Sequence, residues 1–89
     1  MNQLYFQYKQ VFQKFRADYN RGCYYCKKRQ FKAARYYLGE ALDSIYDIML
    51  NYGHMVTNED LWAYKRDSDN ILKLIAKIDE KGQQEEMCA

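Results

Sequence analysis

Residues 21–42, RGCYYCKKRQFKAARYYLGEAL, constrain the fold more than any other stretch of this 89-residue chain. Gly22, Cys23 and Cys26 precede a run of basic residues, and Phe31, Ala34, Leu38, Ala41 and Leu42 follow it, mostly at three- and four-residue steps. Residues spaced in this way share one face of an α-helix. Small side chains on such a face let two helix backbones approach closely, and the aromatics fill the space that remains. The pattern predicts a helical hairpin whose turn falls at Arg29 and Gln30.

The same periodicity continues in both directions. Upstream, Leu4, Tyr8, Val11, Phe15, Gly22 and Cys26 form a stripe over about 4–28, interrupted at the Asp18/Tyr19 position and widened by Phe12, Tyr19 and Cys23. Such a helix is about 38 Å long. Gly22 inside it costs up to ~1 kcal/mol relative to alanine, which a close neighbouring helix would offset. Downstream, the second segment (31–51) continues through Ile45, Ile48 and Met49, and Gly53 offers a left-handed stop followed by a short loop, His54 to Val56. Thr57 to Asp60, TNED, has the form of an N-terminal cap. It opens a third segment over 58–81, carried by Leu61, Tyr64, Ile71, Ile75 and Ile78, and Gly82 is the expected end, leaving 83–89 as a flexible tail or the start of a linker.

Proline is absent and nothing asks for a strand. The expected architecture is all-α: a three-helix antiparallel up-down-up bundle within residues 1–82, with a long first helix and the third running parallel to the first. The net charge of +2 is unevenly placed: residues 1–37 hold nine Lys/Arg against Asp18 alone, and residues 38–89 hold five against eleven Asp/Glu. Pairing of the basic first helix with later acidic ones would absorb part of this asymmetry. No apolar run is long enough to span a bilayer, and three cysteines do not make a secreted disulfide framework, so a cytoplasmic setting is expected.

Few residue groups suggest chemistry. Cys23 and Cys26 form a Cys-x-x-Cys pair, but a redox site of that kind needs a helix start beside a strand, and a zinc site needs two further ligands. Two small apolar residues packing against the second helix is the favoured interpretation. His54 is the sole histidine, placed in a loop without a nucleophile or an orienting carboxylate beside it in the sequence. No phosphate-cradling glycine loop occurs. The chain is expected to be no enzyme, and neither a cofactor nor a metal is expected. Lys27, Lys28, Arg29, Lys32 and Arg35, with Tyr24, Tyr25, Tyr36 and Tyr37 beside them, form a basic surface that could meet nucleic acid or an anionic surface. A solvated hairpin tip explains them as well. Adjacent residues of a helix point about 100° apart, so at least one tyrosine of each pair must leave the core.

The segment RQFKAARYYLGEAL, with Phe31, Ala34, Leu38 and Ala41 at aromatic, alanine, large and alanine positions, resembles the entry to the second helix of microtubule-interacting-and-trafficking (MIT) domains. The resemblance covers about residues 15–81 and includes the lengths of the three helices. It implies a noncatalytic adaptor that binds peptides in grooves between helices, of the kind attached to AAA ATPases, to which it would recruit substrates or partners. It also implies a groove partly built by the third helix, with Lys65, Ser68, Asp69 and Leu72 as its residues. Asp69 matches an acidic groove position, whereas Ser68 stands where the family prefers a large apolar residue and Leu72 where it often has an acid. The expected partner is thus a protein or peptide, with nucleic acid disfavoured and a homo-oligomer open. The alternatives are a basic-face binder of nucleic acid or anionic surfaces, and a tetratricopeptide-like or self-associating structural bundle.

Overall fold

A computed structural model describes the backbone of residues 3–88 and the side chains of residues 3–82. Helix α1 spans Gln3–Lys27, α2 Phe31–Asn51 and α3 Asn58–Cys88, with a single 3₁₀ turn, Gly53–Met55, between α2 and α3. There is no strand among the described residues. The helices form the expected up-down-up bundle, a rod of 57 × 19 × 17 Å.

The hairpin between α1 and α2 is closed by backbone hydrogen bonds. Gln30 N–H donates to the Tyr25 carbonyl (3.0 Å) and Arg29 N–H to the Cys26 carbonyl (3.1 Å). This paired pattern satisfies the carbonyls left over at a helix end and requires one left-handed residue. That residue is Arg29, at φ 58°. Glycine holds this conformation freely, whereas another L-residue bears about 1–2 kcal/mol. The expected left-handed glycine at Gly53 is not found: no described glycine has a positive φ. Instead Tyr52 N–H bonds the Ile48 carbonyl (2.9 Å) and the chain passes directly into the 3₁₀ turn.

Helix α3 begins as its sequence implies. Thr57 Oγ1 accepts the Asp60 N–H at 3.1 Å, and Glu59 and Asp60 lie in the positively polarised first turn. Gly82 does not end it; the backbone stays helical through Cys88. Glycine weakens a helix without breaking it, and Gly82 lacks the left-handed φ of a stop. The expected tail at 83–89 therefore meets a helical backbone as far as Cys88, while its side chains lie outside the described residues.

The core is a continuous column of Phe15, Ala34, Leu38, Ala41, Ile45, Ile48, Tyr64, Ile71, Ile75 and Ile78. Its tightest point is Gly22. A Cβ there would lie 2.6 Å from Leu38 Cδ2 and 3.3 Å from the Leu38 backbone nitrogen, and Leu38 is fully buried. The interruption of the α1 stripe at Asp18 is also accounted for. Its buried carboxylate accepts a bond from Lys14 Nζ at 2.8 Å and lies 3.5 Å from Arg21, and the same lysine reaches Glu40 of α2 at 3.3 Å. The bond to Asp18, with a further contribution from Glu40, raises the Lys14 pKa against the opposing effect of partial burial. Arg35 Nε donates to Asp79 at 3.1 Å and ties α2 to α3. The charge asymmetry of the chain is in part consumed by these cross-helix pairs.

Gly22 and Gly39 make opposite predictions for the same substitution. At Gly39 an added Cβ meets only the end of the flexible Arg35 side chain, at 3.9 Å, so Gly39→Ala gains helix propensity and raises stability by about 0.5–1 kcal/mol. Gly22→Ala gains the same propensity but overpacks a buried leucine and the α2 backbone, for a net loss of about 1–2 kcal/mol. Urea unfolding of the two variants checks both signs.

Candidate functional site

Helices α1 and α2 meet along their backbones, whereas α1 and α3 meet through long side chains. Tyr8 and Tyr64 share a hydrogen bond between their hydroxyls at 2.8 Å. Phe12 and Phe15 both meet the Tyr64 ring edge-on, with centroids 6.3 Å apart. These aromatics hold the helices apart and leave a cleft of about 300 Å³ between them. Phe12, Phe15, Tyr19 and Tyr64 line it together with Ala63, and its polar lining comes from Arg16 and Asn20 on α1 and from Asp60 and Asp67 on α3. Burial raises the pKa values of Tyr19 and, far more, Tyr64, whose bond to Tyr8 acts in the same direction. Both hydroxyls therefore stay protonated and able to donate at neutral pH.

A second, shallower depression of about 460 Å³ lies between α2 and α3, lined by Gly39, Leu42, Leu72 and Ile75 among others. Of the four α3 residues expected to build a groove, only Leu72 lines it, about half exposed. Ser68 is buried and its hydroxyl donates to the Lys65 carbonyl (2.7 Å), so it serves the core side of α3. Lys65 and Asp69 are exposed, and the Lys65 ammonium lies over the Trp62 ring at 5.3 Å. The four residues are thus not brought together around one cleft.

At the hairpin end, Lys27, Lys28, Arg29 and Lys32 are exposed as expected, while Arg35 is engaged with Asp79. The four tyrosines join into one ladder across α1 and α2. Tyr24 meets Tyr25 edge-on (5.2 Å), Tyr25 stacks on Tyr37 with planes 8° apart (5.6 Å), and Tyr37 meets Tyr36 edge-on (5.1 Å). Tyr24 and Tyr36 at the ladder's ends are 55% and 60% exposed, and the two inner rings are half-buried. One tyrosine of each adjacent pair leaves the core. Arg21 lies over Tyr37 at 5.7 Å and Lys28 over Tyr24 at 5.7 Å.

Cys23 and Cys26 are free thiols, half-buried near the end of α1. Burial raises the pKa of each. A helix C-terminus also disfavours a thiolate, so both sulfurs act as small packing groups. His54 is exposed in the 3₁₀ turn. No group of three or more His, Cys, Asp or Glu among the described residues could hold a metal ion, and no helix of the described residues is long and apolar enough to cross a membrane.

Sequence reasoning placed the basic tip and its tyrosines but missed the α1–α3 cleft. Its signal was present in Phe12, Arg16 and Tyr19 at four- and three-residue steps, a line beside the core stripe. No protein family, curated protein or solved structure was found to match this chain.

Tyr64 carries a pH signature. Its ionisation is held above the ordinary tyrosine value near 10, so the folded state retains the proton after the unfolded chain has lost it. The stability this provides is complete below about pH 10 and is lost as pH rises from there through the raised value. Tyr64→Phe should lose about 1 kcal/mol at neutral pH through the broken Tyr8 bond. Its stability should then fall less steeply than that of the parent above pH 10, as followed by chemical denaturation across the alkaline range.

Proposed function

We propose that this chain is a noncatalytic, MIT-like interaction module that binds a peptide segment of a partner protein in the cleft between α1 and α3. The observation that carries this proposal is the cleft itself: an aromatic floor with hydroxyl groups at hand and two carboxylates, Asp60 and Asp67, in its lining. Concave aromatic surfaces with a few placed polar groups bind ligands because they bury apolar area while fixing orientation. The occupant that fits is a short segment with apolar anchors and at least one Lys or Arg to meet Asp60 and Asp67, the kind of helix or strand that enters a groove through alternate side chains. The hairpin seam, with Gly22 against Leu38 and Ala34 and Ala41 fully buried, supports the resemblance to MIT domains. Recruitment of partners to an AAA ATPase is the role that resemblance would give it.

Self-association is a second reading. Leu50 and Trp62, on either side of the α2–α3 turn, are 83% and 71% exposed, and covering them in a dimer would remove apolar area from water.

A peptide selected from a displayed random library against the full chain, followed by NMR titration, tests the module. Perturbed amides are expected at Arg16, Tyr19, Ala63 and Asp67. Asp67→Lys should weaken binding about 10-fold, and Ala63→Phe, which fills the cleft, should abolish it. Perturbations centred on Gly39, Leu42 and Leu72 would move the site to the other face, and failure to select any peptide would reject the module.

A further inference from the structure

The tyrosine ladder is left unused by a peptide in the α1–α3 cleft. It runs across α1 and α2 through Tyr24, Tyr25, Tyr37 and Tyr36 without a break. A row of four rings across a hairpin is not needed for its closure, which the Gly22–Leu38 contact and the bonded turn already provide. The two terminal rings are the most exposed of the row. Both meet their neighbours edge-on, and their exposed surface leaves room for a planar group to stack on each ring.

Basic residues dominate the tip, and one carboxylate, Glu40, lies beside the Tyr36 hydroxyl and raises its pKa. Residues 19–37 hold six Lys/Arg and no Asp or Glu. Of the nearby acidic groups, Asp79 is engaged with Arg35, Glu40 with Lys14, and Asp18 with Lys14 and Arg21, while Glu80 forms no ion pair among the described residues. Lys81 of α3 adds a further positive charge, 5.2 Å from the Phe31 ring centre. Lys27, Lys28, Arg29 and Lys32 form no ion pair among the described residues. Arg29 also occupies a left-handed position that glycine would hold at lower cost. An arginine in that position puts a guanidinium group at the tip.

We infer that the hairpin end binds single-stranded nucleic acid, with bases stacking on Tyr24 and Tyr36 and phosphates meeting Lys28, Arg29 and Lys32. A single strand alternates planar faces with negative charges at short intervals, and this surface alternates exposed rings with cations. An acidic peptide would meet the cations and leave the rings uncovered. A bilayer would call for bulky apolar side chains at the tip, where Phe31 is half-buried with Lys81 over its ring. Stacking does not depend on base identity, so recognition is expected to tolerate sequence.

The test is fluorescence anisotropy of a labelled 12-mer of thymidine with the full chain, beside co-sedimentation with phosphatidylserine-containing vesicles. Tyr24→Ala and Tyr36→Ala each replace an exposed ring, and circular dichroism checks that both variants keep the fold. Each should weaken oligonucleotide binding about 10-fold, and Lys28→Glu with Lys32→Glu should remove it. The logarithm of affinity should fall with the logarithm of salt at a slope of about −2, as expected for three neutralised phosphates. Binding that loses nothing in the tyrosine variants would overturn the stacking site and leave plain electrostatics. Sedimentation with vesicles without oligonucleotide binding would assign the face to membranes instead, and absence of both would refute the inference.

Discussion

The contact between Gly22 and Leu38 is the constraint on which the rest of this bundle depends. With no side chain at Gly22, a fully buried leucine fills the space a Cβ would take and brings the α2 backbone to van der Waals distance. The turn that follows is only three residues long and is fixed by two backbone bonds around a left-handed Arg29. A short turn and a close seam set the register of α1 on α2. That register aligns Tyr25 with Tyr37 in a parallel stack and places Glu40 within reach of Lys14. The third helix is added to this hairpin on different terms. It is held by the buried side chains of Tyr64, Ile71, Ile75 and Ile78, with the Tyr8–Tyr64 bond and the exposed Arg35–Asp79 pair beside them, and the α1–α3 cleft is the space that the aromatics keep open.

The legible part of the fold was the part dictated by period and local chemistry. The apolar steps at Ala34, Leu38, Ala41, Ile45 and Ile48 all lead to buried residues, and the cap at Thr57 forms as its sequence implies. Glycine was the less reliable guide, because its conformational freedom is permission and not instruction. Gly53 and Gly82 read as stops, yet neither takes a left-handed conformation, and an arginine takes the one that the structure needs. At Gly22 the meaning was spatial, and the sequence hinted at it only through the small residues opposite. The groove residues on α3 fared worse because a helical face alone does not say which neighbour it meets. Ser68 points to the core, while Lys65 and Asp69 face solvent.

The turn end of the rod and the cleft along its side differ in chemistry for a simple reason. The α1–α2 turn gathers unpaired cations and tyrosines, whereas the cleft draws Asp60 and Asp67 from the first half of α3. Tyrosine serves both places because its ring buries apolar area while its hydroxyl tolerates water or a polar partner. In the cleft the ring packs and the hydroxyl links helices; on the ladder, rings pack on rings and the outer two remain open. A small bundle thereby carries a basic, tyrosine-rich tip and an aromatic cleft whose lining mixes Asp60 and Asp67 with Arg16.

On this packing α1 and α2 form the firmer unit, and α3 docks on it through side chains. Native-state hydrogen exchange tests this most directly. Amides of α1 and α2 around Gly22, Leu38 and Ala41 should exchange only through global unfolding. Those of α3 around Ile71 and Ile75 should open with a free energy lower by more than about 1 kcal/mol. Protection of α3 equal to or greater than that of α2 would contradict this division and instead make α3 an integral part of the rigid unit.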